Sequence, residues 1–179
     1  GTDAVVDDEF VLPGGEFFLI KRVCAVFYGL FRDVAWISQV GFKDLKPVWV
    51  ETKENVSYIN LAPVISNVIM YPDLIKVKID LTTSAVIGWE ARNYGFNHVD
   101  RKANAEILED EAVAKLGSDY RLLDSKLAYI PLEDGTEVLT YELMCEKMDG
   151  LYYVYVNAAN GQFEKILKVV ETEGVKLLI

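Results

Sequence analysis

The chain is poor in the residues on which most catalytic and metal chemistry depends. Its 179 residues include one histidine, His98, and two cysteines, Cys24 and Cys145. Zinc takes three or four His, Cys or carboxylate ligands, and this supply of soft ligands is too thin for such a centre. A serine or cysteine hydrolase needs a base, most often histidine. No serine or cysteine near His98 stands in a nucleophile elbow, so His98 reads as a structural or solvated residue. No glycine-rich loop follows a strand and opens a helix, which removes the common phosphate-binding motifs. Positive charge is also short: 18 Lys and Arg stand against 28 Asp and Glu, for a net charge of −10. That balance argues against nucleic acid and anionic lipid, both of which select clustered cations. The longest apolar run, Val23 to Phe31, is far shorter than the ~20 residues that cross a bilayer.

What the chain does have is apolar residues, 51% of the total, with aromatics well represented. It has enough length to bury a sizeable core in one domain or two small ones. Carboxylates are so abundant that no pair of them is informative by itself. Glu109, Asp110 and Glu111 fall in the first turn of an expected helix, where the helix dipole favours negative charge. Successive helical residues diverge by about 100°, so these three do not converge on one ion. Glu142 and Glu146 read as a solvated outer strand face, not as a glycosidase pair. No catalytic, cofactor or metal residue is expected. Cys145 shares an apolar strand face with Leu139, Tyr141 and Leu143 and reads as a buried thiol, with a Cys24–Cys145 disulfide left open.

The central pattern is Tyr71 to Ala91. Ile75, Val77, Ile79 and Leu81 alternate with Lys76, Lys78 and Asp80, which predicts a half-buried strand. After Thr82, Thr83 and Ser84 a second run follows, with Ala85, Ile87, Trp89 and Ala91 on one face, so the pair predicts an antiparallel hairpin. The shape recurs near the C-terminus, where Tyr153 to Asn157 is followed by Ala158 to Gly161 and then Gln162 to Val170. Asp80 and Asn157 end the first strand of each hairpin, and two such hairpins predict a duplicated unit.

Ahead of each set of strands stands a helical pattern. Ala25 to Val40 carries an apolar stripe of Phe27, Leu30, Phe31, Val34 and Ile37, stopped by Gly41. Glu109 to Leu116, ended by Gly117, is the shorter second helix. Further strands are expected at Lys46 to Thr52, Val56 to Ala62, Tyr120 to Leu123, Lys126 to Pro131 and Thr136 to Lys147, with Ile65 to Met70 as strand or loop. Turns are expected at Asp134-Gly135 and Glu173-Gly174. The expected fold is α+β: two tandem units, each a helix packed on an antiparallel sheet, at residues 24–92 and 105–179. Residues 93–104 are the linker. Residues 1–23 are a tail with a hairpin, or a helix from Glu16, at Phe10 to Ile20, read as the remnant of a preceding unit. The chain opens on Gly1 and not Met, so the expectation is of a processed piece whose leader or anchor lies elsewhere.

These residues resemble a known family, the C-terminal PepSY-type domains of the YpeB spore germination proteins. The likeness lies in Tyr71 to Lys78, Ile87 to Ala91, Tyr94 with Asn97, His98 and Arg101, and Glu137 to Leu139 with Tyr141 and Glu142. It continues through Tyr153 to Ala158, Asn160-Gly161 and Glu164 to Leu167. It covers about Asp33 to Val170, although the turn at Thr82 to Ser84 lacks the Asn-Gly or Asp-Gly often found there in the family. The resemblance implies two PepSY-like units, no catalysis and no cofactor. It implies a protein that binds, stabilises or restrains a SleB-like cortex-lytic enzyme, or another cell-wall hydrolase or peptidase, outside the cytoplasm at the spore cortex or inner spore membrane surface. The alternative is a PepSY-type inhibitor or propeptide-like module acting on an extracytoplasmic peptidase. The expected partner-binding residues are Leu151, Tyr153 and Tyr155, on the sheet face away from the helix. Trp49 is expected on the open face of the first unit. Val154 and Val156 are expected to point toward the helix.

Overall fold

The computed structural model describes residues 44–172 and 175–178. The expected hairpin at Phe10 to Ile20, the helix at Ala25 to Val40, Cys24 and the turn at Glu173-Gly174 lie outside the described residues. The strands are β1 (Leu45–Lys53), β2 (Val56–Ile65), β3 (Val68–Met70), β4 (Ile75–Asp80) and β5 (Ala85–Glu90). They continue with β6 (Arg121–Pro131), β7 (Glu137–Lys147), β8 (Gly150–Asn157), β9 (Phe163–Thr172) and β10 (Val175–Leu178). A 3-10 turn, Tyr71–Asp73, separates β3 from β4, and two short helices follow β5: α1 (Arg92–Asn97) and α2 (Glu109–Val113). The fold is mixed α and β and is dominated by sheet.

The strands form one sheet in the order β10-β9-β8-β7-β6-β3-β2-β4-β5, with β1 on β2. Among the described residues every pairing is antiparallel except one. β3 runs parallel to β6, Val68 beside Leu127 and Met70 beside Tyr129. This three-residue ladder joins the two sets of strands that the sequence suggests as separate units. In the set after the linker, Ala112 of α2 is fully buried against Leu139, Tyr141, Leu143 and Cys145 of β7 and Val154 and Val156 of β8. Cys145 is a free buried thiol, pushed up to about 11 by burial.

Both predicted hairpins form, and their turns are built alike. In β4–β5 the Asp80 carboxylate accepts hydrogen bonds from the Thr82 and Thr83 amides at 2.8 and 2.9 Å. In β8–β9 the Asn157 side-chain oxygen accepts from the Ala159 and Asn160 amides at 2.8 and 3.2 Å. An Asp or Asn side chain that ties down the following backbone substitutes for the Asn-Gly dipeptide missing from the first turn. In the second turn Gly161 has φ +71° and lies where a Cβ would come 3.1 Å from the Lys115 side chain. Glycine there satisfies both the backbone sign and the close approach.

Several local expectations are corrected. Tyr120 to Leu123 and Lys126 to Pro131 are one strand, β6, kinked by a bulge between Leu122 and Asp124. The stretch expected as the linker carries a short helix, α1. Ala85, Ile87 and Trp89 do not share a face through β5. Lys78 pairs with Gly88 and Ile79 with Val86, so Ile87 is the extra residue of a bulge and the alternation changes phase there. On β4 the alternation holds, with Ile75, Val77 and Ile79 buried and Lys76 and Lys78 exposed.

Candidate functional site

The residues that carry the family likeness meet in one polar knot. Asp73, the last residue of the 3-10 turn, is fully buried. Proline at the second position of that turn fixes the backbone that delivers it. Arg101 clamps both its oxygens, with Nη1 donating to Oδ2 at 2.9 Å and Nη2 to Oδ1 at 3.0 Å. The same guanidinium donates to Glu137 at the start of β7, through Nε at 2.5 Å and Nη2 at 2.9 Å. Nη2 also donates to the Asn97 carbonyl at 2.8 Å. Arginine suits this place because its planar fork serves two carboxylates in fixed directions. Only 4% of its side chain is exposed. The two carboxylates hold the guanidinium well above its ordinary value, Glu137 more than Asp73.

His98 completes the knot. Its Nδ1 lies 2.7 Å from Asp73 Oδ2. Its ring stacks on Tyr94 at 4.3 Å between centroids. Asn97 Nδ2 donates to the Pro72 carbonyl at 3.0 Å, so α1 is tied to the 3-10 turn. The Tyr129 hydroxyl donates to the Lys102 carbonyl at 2.8 Å, and the Arg101 guanidinium lies 5.8 Å from the centre of the Tyr129 ring. The knot therefore draws the 3-10 turn, the linker, β6 and β7 together beside the short parallel ladder. Asp73, Arg101 and Glu137 were not expected as a site. Their spacing of 28 and 36 residues carries no local signal, although all three lie in stretches that carry the resemblance.

The face expected to bind a partner is arranged as predicted in direction but not in exposure. Val154 and Val156 point into the core under α2, at 1% and 0% exposed. Leu151 and Tyr153, on the opposite face, are half-buried. Tyr155 is 6% exposed and so is no surface anchor. Its ring meets Tyr71 edge-on at 6.5 Å. Glu142, opposite Tyr155 on β7, is also 6% exposed, which corrects the expectation of a solvated outer face. Burial pushes its carboxyl above the usual carboxylate range, although the hydroxyls of Tyr71 and Tyr155 partly offset this. The Tyr153 hydroxyl is pushed up to about 12 by burial and by Glu142. Glu146 is half-buried and paired with Arg121. Trp49 is half-buried on β1. Among the described residues no group of His, Cys, Asp and Glu could hold a metal ion. Glu111 of the acidic helix turn accepts from the Leu108 amide at 2.8 Å, a capping role. Among the described residues no helix is long and apolar enough to cross a membrane.

Residues 33–104, which contain the 3-10 turn, α1 and Arg101, match the family described as YpeB sporulation, PepSY1 and PepSY2 domains. The chain is similar to the C-terminal PepSY-type domains of YpeB. Sporulation protein YpeB of Halalkalibacterium halodurans is 39% identical over 110 residues, which is 61% of this chain and 25% of that protein. Sporulation protein YpeB of Bacillus subtilis is 31% identical over 150 residues, 82% of this chain and 33% of that protein. The chain thus spans a third or less of the length of these YpeB relatives. The Bacillus megaterium YpeB C-terminal domain superposes with a TM-score of 0.70 over 94% of this chain and 70% of that one. At 22% identity this likeness is one of fold.

Proposed function

We propose that this chain is the partner-holding part of a YpeB-type sporulation protein, with no catalysis of its own. It binds, and stabilises or restrains, a cortex-lytic enzyme of the SleB type outside the cytoplasm, at the spore cortex or inner spore membrane surface. Two tandem PepSY-like units, at residues 24–92 and 105–179 with the linker between them, form its frame. The matched turns at Asp80 and Asn157 support the duplication.

One observation carries the non-catalytic reading. Asp73, Arg101, His98 and Glu137 are the polar residues of the family stretches that come together, and they are spent on one another. A catalytic carboxylate needs access to substrate, whereas Asp73 has no exposed surface. The geometry is that of a fastening. The names of the relatives support a sporulation role. The partner face is proposed at Leu151 and Tyr153, with Tyr155 as the buried support beneath them.

Calorimetric titration of the purified chain with a purified SleB-type enzyme tests this. Saturable binding is expected, weakened on the order of 1–2 kcal/mol by Tyr153→Ala, a typical cost for an aromatic anchor. No released muropeptides are expected when the chain alone meets cortex. Binding to a peptidase with none to the lytic enzyme would move the reading to the propeptide-like alternative. Muropeptide release by the chain alone would overturn it.

A further inference from the structure

The turn between β8 and β9 holds the chain's one Asn-Gly pair, Asn160-Gly161. Asparagine is a labile side chain, and a following glycine offers it an unhindered backbone nitrogen. Asn160 is exposed, so water and hydroxide reach it. The nitrogen that would attack it is engaged. The Gly161 N–H donates to the Asn157 carbonyl at 2.9 Å. Gly161 is buried, with the side chains of Ile107 and Lys115 beside it. Asn157 sets the rest of the turn. Its Oδ1 accepts from the Ala159 and Asn160 amides, and its Nδ2 donates to Glu164 at 2.7 Å. The Asn160 Oδ1 accepts from the Gln162 amide at 2.9 Å, which gives that side chain one orientation. The same turn seats the start of α2, because the Ala158 carbonyl accepts from the Glu106 and Ile107 amides at 2.8 and 3.0 Å.

We propose that Asn160-Gly161 is a deamidation site which the folded turn holds shut, and that its reaction loosens the seat of α2. When the turn opens, the Gly161 N–H proton passes to hydroxide and the nitrogen attacks Asn160 Cγ. A C–N bond forms to close a succinimide ring, and the side-chain nitrogen leaves as ammonia with a proton from water. Water then opens the ring to aspartate or isoaspartate, with no change of oxidation state. Isoaspartate carries the main chain through its side-chain carbon and so adds one backbone atom ahead of Gly161. The site has no room for that shift, since even a Cβ on Gly161 would come 3.1 Å from Lys115 and 3.5 Å from Ile107. Closed and open turns are in equilibrium and the chemistry runs from the open one, so Asn157 sets the rate. The proposal stands whether or not a lytic enzyme binds the chain.

The test incubates the full chain in mildly alkaline buffer, folded and in urea, and follows Asn160 by peptide mapping that separates aspartyl from isoaspartyl products. The folded chain should lose Asn160 at least about tenfold more slowly than the unfolded one, because its reaction waits on the opened turn. Asn157→Ala, which removes the side-chain bonds of the turn, should react faster than the folded parent. Chain aged until this position is isoaspartate should exchange its Glu106 and Ile107 amides for deuterium faster than intact chain. Equal loss of Asn160 in the folded and unfolded chain overturns the proposal, with no variant required. So does an Asn160 that stays intact in urea, or an Asn157→Ala that reacts at the rate of the parent. Unchanged exchange of the Glu106 and Ile107 amides in the aged chain overturns the link to α2.

Discussion

Asp73, on the 3-10 turn, and Glu142, on β7, are two buried acids, and the chain accommodates them in opposite ways. Asp73 is fully buried, and both its oxygens are clamped by Arg101, with His98 on one of them. Glu142 is 6% exposed and has tyrosine hydroxyls near it, but its Oε2 has no hydrogen-bond partner. The first carboxyl is matched by charge and fastens two sets of strands. The second is pushed toward its neutral form by desolvation. Burial alone therefore does not say what an acid does; the partner on each oxygen does.

The largest effect should come from separating Asp73 from its cation. Arg101→Ala leaves Asp73 buried without compensation and should cost about 3–5 kcal/mol of unfolding free energy in urea, the range for breaking a buried pair from one side. If Arg101→Ala costs no more than an exposed ion pair, below ~1 kcal/mol, the contrast between the two acids fails. Val154→Ala, in the core between the two faces, should cost about 1–3 kcal/mol through the cavity it opens. This loss is expected at every pH, which separates packing from charge.

Glu142→Gln should act in the opposite sense. The carboxyl is raised in the folded protein, so the folded state holds the proton more tightly than the unfolded one. Its contribution is fully present below the unfolded carboxyl range, near pH 4.3, and is lost as pH rises through the folded value. The amide has no such loss. The parent should become less stable relative to Glu142→Gln as pH climbs, read from parallel urea series between acid and neutral pH. A parent curve parallel to that of the variant would contradict the reading. The smallest effect should come from the exposed Asp149. Its carboxyl is held down to about 2 by hydrogen bonds from Lys168 and Tyr152. Asp149→Asn should leave the melting temperature unchanged, since a fully solvated pair holds little of the fold.

The sequence is legible where structure is local. The alternation of Ile75, Val77 and Ile79, the inward Val154 and Val156, and the turns after Asp80 and Asn157 follow from period and turn chemistry. The buried Cys145 was legible from its neighbours at every second residue. Three things were not. The parallel β3–β6 ladder joins segments about sixty residues apart, and no period marks such a partner. α1 has the sequence RNYGFN, poor in helix formers, and is held by Asn97 on the Pro72 carbonyl. Glu142 and Tyr155 lie at outward positions of their strands, and their burial depends on groups such as Tyr71, which arrives from another part of the chain. The likeness to YpeB found the members of the knot without showing that they touch.

The central claim is that the family-bearing polar residues fasten the strands together. A double-mutant cycle on Asp73 and Arg101 tests it most directly. Unfolding free energies of the parent, Asp73→Ala, Arg101→Ala and the double variant should show a coupling of about 2 kcal/mol or more, with the double variant scarcely worse than either single one. Additive losses, with coupling within about 0.5 kcal/mol of zero, would contradict the account.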